Sequence, residues 1–281
     1  MPGQTRHLPL VLFHGLLSSP QEFGLIHFGL RSRGVHLVAP TIPNYTLATD
    51  VKRPDWNTWL SAALQALDDA VDADTPVILG GLCVGSMLAA QVARHTTRKV
   101  AGLVLMSPAF RYDGWGMSAI RHLRHVGYWT GLDRFFYVAE REPYGVKNPK
   151  VRQWIAEQLR ERAESAAGPA RVPLPALRES ERMMADVRAH LDELNCPTLV
   201  LHARDDEITT LGSVQRVVDL LPTPDKALIS LNDSYHMITI DNDRHEVARQ
   251  LEGFVKRLSR AEMQKFASEP SLPGHTLAVA V

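Results

Sequence analysis

Two cysteines in 281 residues are too few to staple a fold with disulfides, so Cys83 and Cys196 are expected as free thiols. No charge of one sign dominates. The 31 basic and 31 acidic residues cancel, and no global field draws the chain to nucleic acid or to an anionic membrane. Long apolar runs are missing as well. The stretch from Leu8 to Leu17 is broken by His14 and Gly15 and has no small-residue cleavage site, so it reads as a strand rather than a signal peptide. Nothing approaches the roughly 20 consecutive apolar residues that span a bilayer. Metal-ligand clusters and phosphate-loop glycine spacing are also lacking, so neither a metal nor another cofactor is expected. These absences leave a soluble, cytoplasmic globular protein. Its 45% hydrophobic and 22% charged residues are ordinary for that class, and its length suits one large α/β domain with or without an insertion.

Strand and helix patterns alternate from the start, which argues for a parallel sheet covered on both faces. Apolar strands are predicted at 8–13, 35–39, 77–79, 100–106, 197–202 and 227–231. Between them fall helical stretches near 20–31, from Asp55 onward, and from Cys83 to Arg94. The last helix carries Val247, Leu251, Phe254, Val255 and Leu258 on one stripe. Between 109 and 195 the alternation stops, and the pattern is helical with turn-rich interruptions. Residues 263–281 lose periodicity and read as a loose tail.

Gly81-Leu82-Cys83-Val84-Gly85 follows an apolar strand and opens a helix of small residues, Ser86-Met87-Leu88-Ala89-Ala90. That is the pattern of a nucleophile elbow. The central residue sits in a strained turn with its side chain clear of the sheet, and the residues two positions away must be small. Cysteine at the centre is a candidate nucleophile; a small buried thiol is the competing reading. Further on, the strand Pro197 to His202 runs into Asp205-Asp206-Glu207, and Tyr235-His236-Met237 follows the strand Ala227 to Leu231.

Nucleophile, acid and then histidine is the order of the α/β-hydrolase triad. On these residues the chain resembles the α/β-hydrolases, especially bacterial carboxylesterases and monoacylglycerol-lipase-like enzymes, over 8–108 and 196–260. The resemblance implies an α/β-hydrolase fold with core segments 1–108 and 196–262 and a helical cap insertion at 109–195. Aromatic residues of that insertion, from Phe110 and Tyr112 through Trp129 and Phe135 to Tyr144, are expected to line an acyl pocket. A basic group, Arg121, His122, Arg124 and His125, either meets a phosphate-bearing carrier or is a solvated face.

The implied catalytic residues are Cys83, Asp206 and His236, with Asp205 as the alternative acid. His202 and His245 are the competing histidines; one lies in a strand and the other on a helix. The oxyanion donors are expected to be the main-chain N–H groups of Val84 and of Leu16, the latter in a loop resembling the family's His-Gly turn. His14 is expected to support that loop. Cysteine in place of serine is similar to dienelactone hydrolases, polyhydroxyalkanoate synthases and some thioesterases.

Three functions remain open at this point. Cys83 forms an S-acyl intermediate that water releases, making an ester or thioester hydrolase; or the acyl group passes to an alcohol, amine or thiol; or the fold serves as a non-catalytic binding module. The expected partner is a small acyl ester or thioester, free or carrier-bound. Oligomeric state is left open.

Overall fold

A computed structural model describes residues 7–117 and 124–268. In chain order its first half runs β1 (Leu10–Phe13), a 3-10 turn (Pro20–Phe23), α1 (Gly24–Ser32), β2 (Leu37–Val38), α2 (Trp56–Ala70), β3 (Val77–Leu82), α3 (Val84–His95) and β4 (Val100–Met106). After an intervening segment follow β9 (Thr198–Ala203), α7 (Leu211–Leu220), β10 (Lys226–Leu231) and α8 (Arg244–Ser268). All six expected strands form, and they join one parallel sheet in the order β10-β9-β4-β3-β1-β2.

The sheet divides two apolar layers, as a parallel sheet flanked by helices must. Alternate strand residues face opposite ways. Val11, Phe13 and Leu79 pack with Trp59 of α2, Met87 and Leu88 of α3 and Val214 of α7. Leu10, Leu12 and Ile78 pack instead with Ile26 and Leu30 of α1 and Val247 and Leu251 of α8. From Val84 to Val92 every residue of α3 is buried, which accounts for its unbroken run of small and apolar side chains. The start of α2 is set by Asp55, whose side chain accepts the Asn57 N–H at 3.1 Å.

Between β4 and β9 the chain leaves the sheet. It forms α4 (Arg124–Thr130), β5 (Tyr137–Ala139), α5 (Pro149–Arg162), β6 (Glu164–Ser165), β7 (Gly168–Pro169), β8 (Arg171–Pro173) and α6 (Leu174–Ala189). The short strands pair antiparallel, β5 with β8 and β6 with β7. A helical pattern with turn-rich interruptions was expected, without strands. Proline at 169 and 173 and Gly168 at φ 118° break the helical run and turn the chain into these small ribbons. At the C-terminus α8 continues through 263–268 to Ser268, past the expected start of the tail; residues 269–281 lie outside the described residues. No described helix is long and apolar enough to cross a membrane.

Candidate active site

Cys83 joins β3 to α3 at φ 58°, ψ −121°, a conformation that non-glycine residues rarely adopt. Its neighbours explain how the turn closes. A Cβ on Gly81 would lie 2.2 Å from the backbone of Gly85, and one on Gly85 would lie 2.1 Å from Phe13 O, so both positions admit only glycine. The turn is pinned from below. Cys83 N–H donates to Met106 O at 3.0 Å, and Cys83 O accepts from Ser86 and Ala109. Ser86 Oγ donates to Gly81 O at 2.7 Å and accepts the Met106 N–H at 3.1 Å, tying the elbow to β4. Cys83 itself is half-buried, whereas Cys196 is packed beside the start of β9, where burial pushes its thiol up to about 11.

Asp206 follows the end of β9 and is buried. Its Oδ1 accepts the N–H groups of Ile208 at 2.8 Å and Thr209 at 2.9 Å. Its Oδ2 accepts His236 Nδ1–H at 2.8 Å. Burial opposes the charged carboxylate, but the charge and hydrogen bond of His236, with help from His202 and Thr209, hold Asp206 below its ordinary range. Asp205 points elsewhere: it is exposed, 3.7 Å from Lys147 Nζ. The structure therefore brings Asp206, and not Asp205, to His236.

With Nδ1–H committed to Asp206, Nε2 is the ring nitrogen left to exchange a proton. Nε2 is buried and has no hydrogen-bond partner among the described residues. Burial disfavours the imidazolium, but Asp206 and then the nearby Cys83 sulfur outweigh it and hold His236 well above its ordinary range. His202 is buried in β9, with Nε2 on Thr209 O at 3.0 Å and 3.8 Å from Asp206 Oδ2, behind the carboxylate rather than beside Cys83. His245 lies on α8.

The N–H groups of Leu16 and Val84 have no acceptor among the described residues. Val84 is the first residue of α3, so its amide is one of the free donors of a helix N-terminus. The loop preceding Leu16 is fixed by His14, whose burial pushes its pKa down to about 4 and keeps it neutral.

Sequence reasoning missed the acids around the histidine. Glu207 Oε2 accepts the His236 main-chain N–H at 3.1 Å. Glu22 and Glu140 also lie within charge reach of His236, and burial pushes each up to about 7. The only available signal was Glu207 directly following Asp206.

The aromatic residues of the intervening segment do not act as one lining. Phe110 is buried and Tyr112 is close enough to Cys83 for their charges to interact. Trp129 is 89% exposed, and Phe135, Phe136 and Tyr137 also face out. Of the expected basic group, Arg121 and His122 lie outside the described residues, as does the His125 side chain. Arg124 is paired with Glu181.

Fold, elbow and the His236–Asp206 pair define a hydrolase of the α/β-hydrolase superfamily. More narrowly, residues 50–243 match the serine aminopeptidase S33 family of hydrolases, and the chain belongs to it. Over 251 residues, 88% of this chain and 90% of the relative, it is 22% identical to a thermostable monoacylglycerol lipase from Bacillus sp. (strain H-257). A carboxylesterase from Bacillus subtilis (strain 168) is 31% identical over 88 residues, 31% of this chain and 36% of that protein. Among solved structures, monoglyceride lipase from Saccharomyces cerevisiae superposes with a TM-score of 0.74 at 11% identity, covering 92% of this chain and 88% of that one. Monoacylglycerol lipase from Paleococcus ferrophilus gives 0.69 at 17% identity, covering 89% and 94%.

Proposed function

We propose that this hydrolase opens acyl ester and thioester bonds through an S-acyl intermediate on Cys83. The observation that carries the reading is the strained Cys83 elbow beside a buried His236 whose Nδ1–H is held by Asp206. The Cys83 thiolate attacks the acyl carbon, and the carbonyl π electrons move to oxygen, where the Leu16 and Val84 N–H groups receive the charge. As the tetrahedral centre collapses, the bond to the alkoxide or thiolate breaks and the His236 imidazolium supplies that group's proton. Water then attacks the S-acyl carbon and gives its proton to His236. Collapse expels the thiolate and releases the acid.

Four carboxyl groups lie within charge reach of His236: Asp206, Glu207, Glu22 and Glu140. We assign residues 109–195 as a cap over the site. A protein with two free thiols suits a reducing compartment, and we place it in the cytoplasm. A second reading keeps the same intermediate but passes the acyl group to an amine or thiol. The sulfur favours it, since a thioester reacts more readily with those acceptors, relative to water, than an oxygen ester does.

Intact-mass and peptide measurements after incubation with an aryl ester and an acyl thioester test the assignment. One acyl mass is expected on the peptide containing Cys83 and none in Cys83→Ala. Acylation of Cys196 instead would overturn it.

A further inference from the structure

The loop that presents Leu16 is fastened on both sides of Gly15. The Gly15 carbonyl accepts His14 Nδ1–H at 2.9 Å and Ser18 N–H at 3.2 Å. Neutral His14 then takes a hydrogen bond at Nε2 from Thr46 Oγ1 at 2.7 Å, and Thr46 in turn accepts the Ile42 N–H. On the other side, Gly15 N–H donates to Glu22 Oε2 at 2.7 Å. Because a peptide group is planar and trans, the Gly15 carbonyl and the Leu16 N–H leave their shared bond in opposite directions. Fastening Gly15 therefore aims the Leu16 amide.

The choice of acceptor is the unusual part. Glu22 is 2% exposed, and no cation lies within ion-pair distance of it among the described residues. Burying a carboxyl group in this way opposes folding, and a serine or a main-chain carbonyl would close the turn without that cost. Its place is close to the nucleophile: a Cβ added to Gly15 would meet Glu22 Oε1 at 3.0 Å and Cys83 Cβ at 3.6 Å, so the acid and the nucleophile both border the space that Gly15 leaves open by having no side chain.

We propose that Glu22 is a positioning residue for acyl transfer: by holding the N–H of the His14–Gly15 peptide, while His14 and Ser18 hold the Gly15 carbonyl, it restricts rotation about the Gly15 φ and ψ and keeps the Leu16 N–H facing the oxygen of the acyl group on Cys83. The proposal rests on acylation of Cys83. Glu22 acts through Leu16. Either protonation state of the acid keeps an oxygen able to accept the Gly15 N–H.

The test compares wild type, Glu22→Ala and Glu22→Gln on p-nitrophenyl butyrate, with iodoacetamide alkylation of Cys83 alongside. Removing one oxyanion donor lowers kcat by about a hundredfold or more, so misaiming it in Glu22→Ala should lower kcat by about thirtyfold to a hundredfold with KM nearly unchanged. Glu22→Gln retains an acceptor carbonyl of the same length and should stay within about threefold of wild type on this account. Alkylation develops no oxyanion, so Glu22→Ala and Glu22→Gln, which carry the same charge at position 22, should alkylate at the same rate while differing in kcat. Should Glu22→Ala not fold, Glu22→Asp, one methylene short of Gly15, is expected to show the same kcat loss. A kcat near wild type in the variant lacking the reach, or Glu22→Gln as impaired as Glu22→Ala, overturns the proposal. Wild-type protein that alkylates at Cys83 but never forms an acyl adduct there overturns the reading beneath it.

Discussion

Replacing Cys83 by glycine should make an inactive protein more stable than replacing it by alanine. At an ordinary helix or strand position glycine is worse than alanine by about 0.5–1 kcal/mol, because it gives up more backbone freedom on folding. Position 83 reverses the comparison. Its φ of 58° and ψ of −121° lie where a Cβ is strained, at about 1–3 kcal/mol, and glycine is free of that penalty. The alanine methyl at this half-buried site recovers about 0.4 kcal/mol of burial, half the value of a fully buried methylene. The balance leaves about 1 kcal/mol in favour of glycine, or a melting temperature higher by about 2 °C for a chain of this length. Both variants lack the thiol, so no difference in chemistry enters. Thermal unfolding followed by circular dichroism on the two proteins side by side checks the result. If the glycine variant melts at or below the alanine variant, the elbow stores no strain and the argument built on its backbone fails.

Asp206→Asn should lower kcat by several orders of magnitude by disturbing the His236 tautomer, while Asp205→Asn should leave it near wild type; steady-state kinetics on one aryl ester decides between them. The His236–Asp206 pair also sets a pH window for stability. His236 is raised, so its contribution is full below its ordinary 6.5 and disappears as pH climbs through the raised value. Asp206 is lowered, so its contribution is full above its ordinary 3.8 and disappears as pH falls through the lowered value. Urea titrations of wild type and Asp206→Asn should therefore differ most between those two limits and converge outside them; a pH-independent difference would contradict the pairing. Gly85→Ala, whose methyl would sit 2.1 Å from Phe13 O, should abolish soluble folded protein, and a normal melting curve would refute the packing described for the elbow.

The central elements were legible because each is a local pattern with one physical meaning. Alternating apolar strands and stripes gave the six strands of the sheet, and small residues at 81 and 85 marked the elbow. Strand ends followed by acid and histidine marked the loops that meet beside Cys83. What escaped notice depended on contacts distant in sequence or on weak local signals. Helix α7 was missed although Val214, Val217 and Val218 lie on one buried face and Thr210 caps its start, because ten residues offer little periodicity. Asp205 and Asp206 could be separated only by the direction each side chain takes after the strand. Glu22 was invisible as a partner of Gly15, since nothing in seven residues of sequence shows that a 3-10 turn carries its carboxyl back under the loop. The outward turn of Trp129 and Phe135 depends on tertiary packing that aromatic content alone does not report.

Strands β4 and β9 lie side by side, Leu103 against Thr198, although none of the described residues between them joins that sheet. Thermodynamically that segment is one very long loop between two fixed posts. The entropy of closing a loop grows only with the logarithm of its length, by about 0.6 kcal/mol for each doubling. Additions to the segment therefore burden the sheet very little once the first turns have been accommodated. Insertions can therefore accumulate in its exposed stretches, such as residues 135–137, while α6 stays held because Met183, Met184 and Val187 pack into the core.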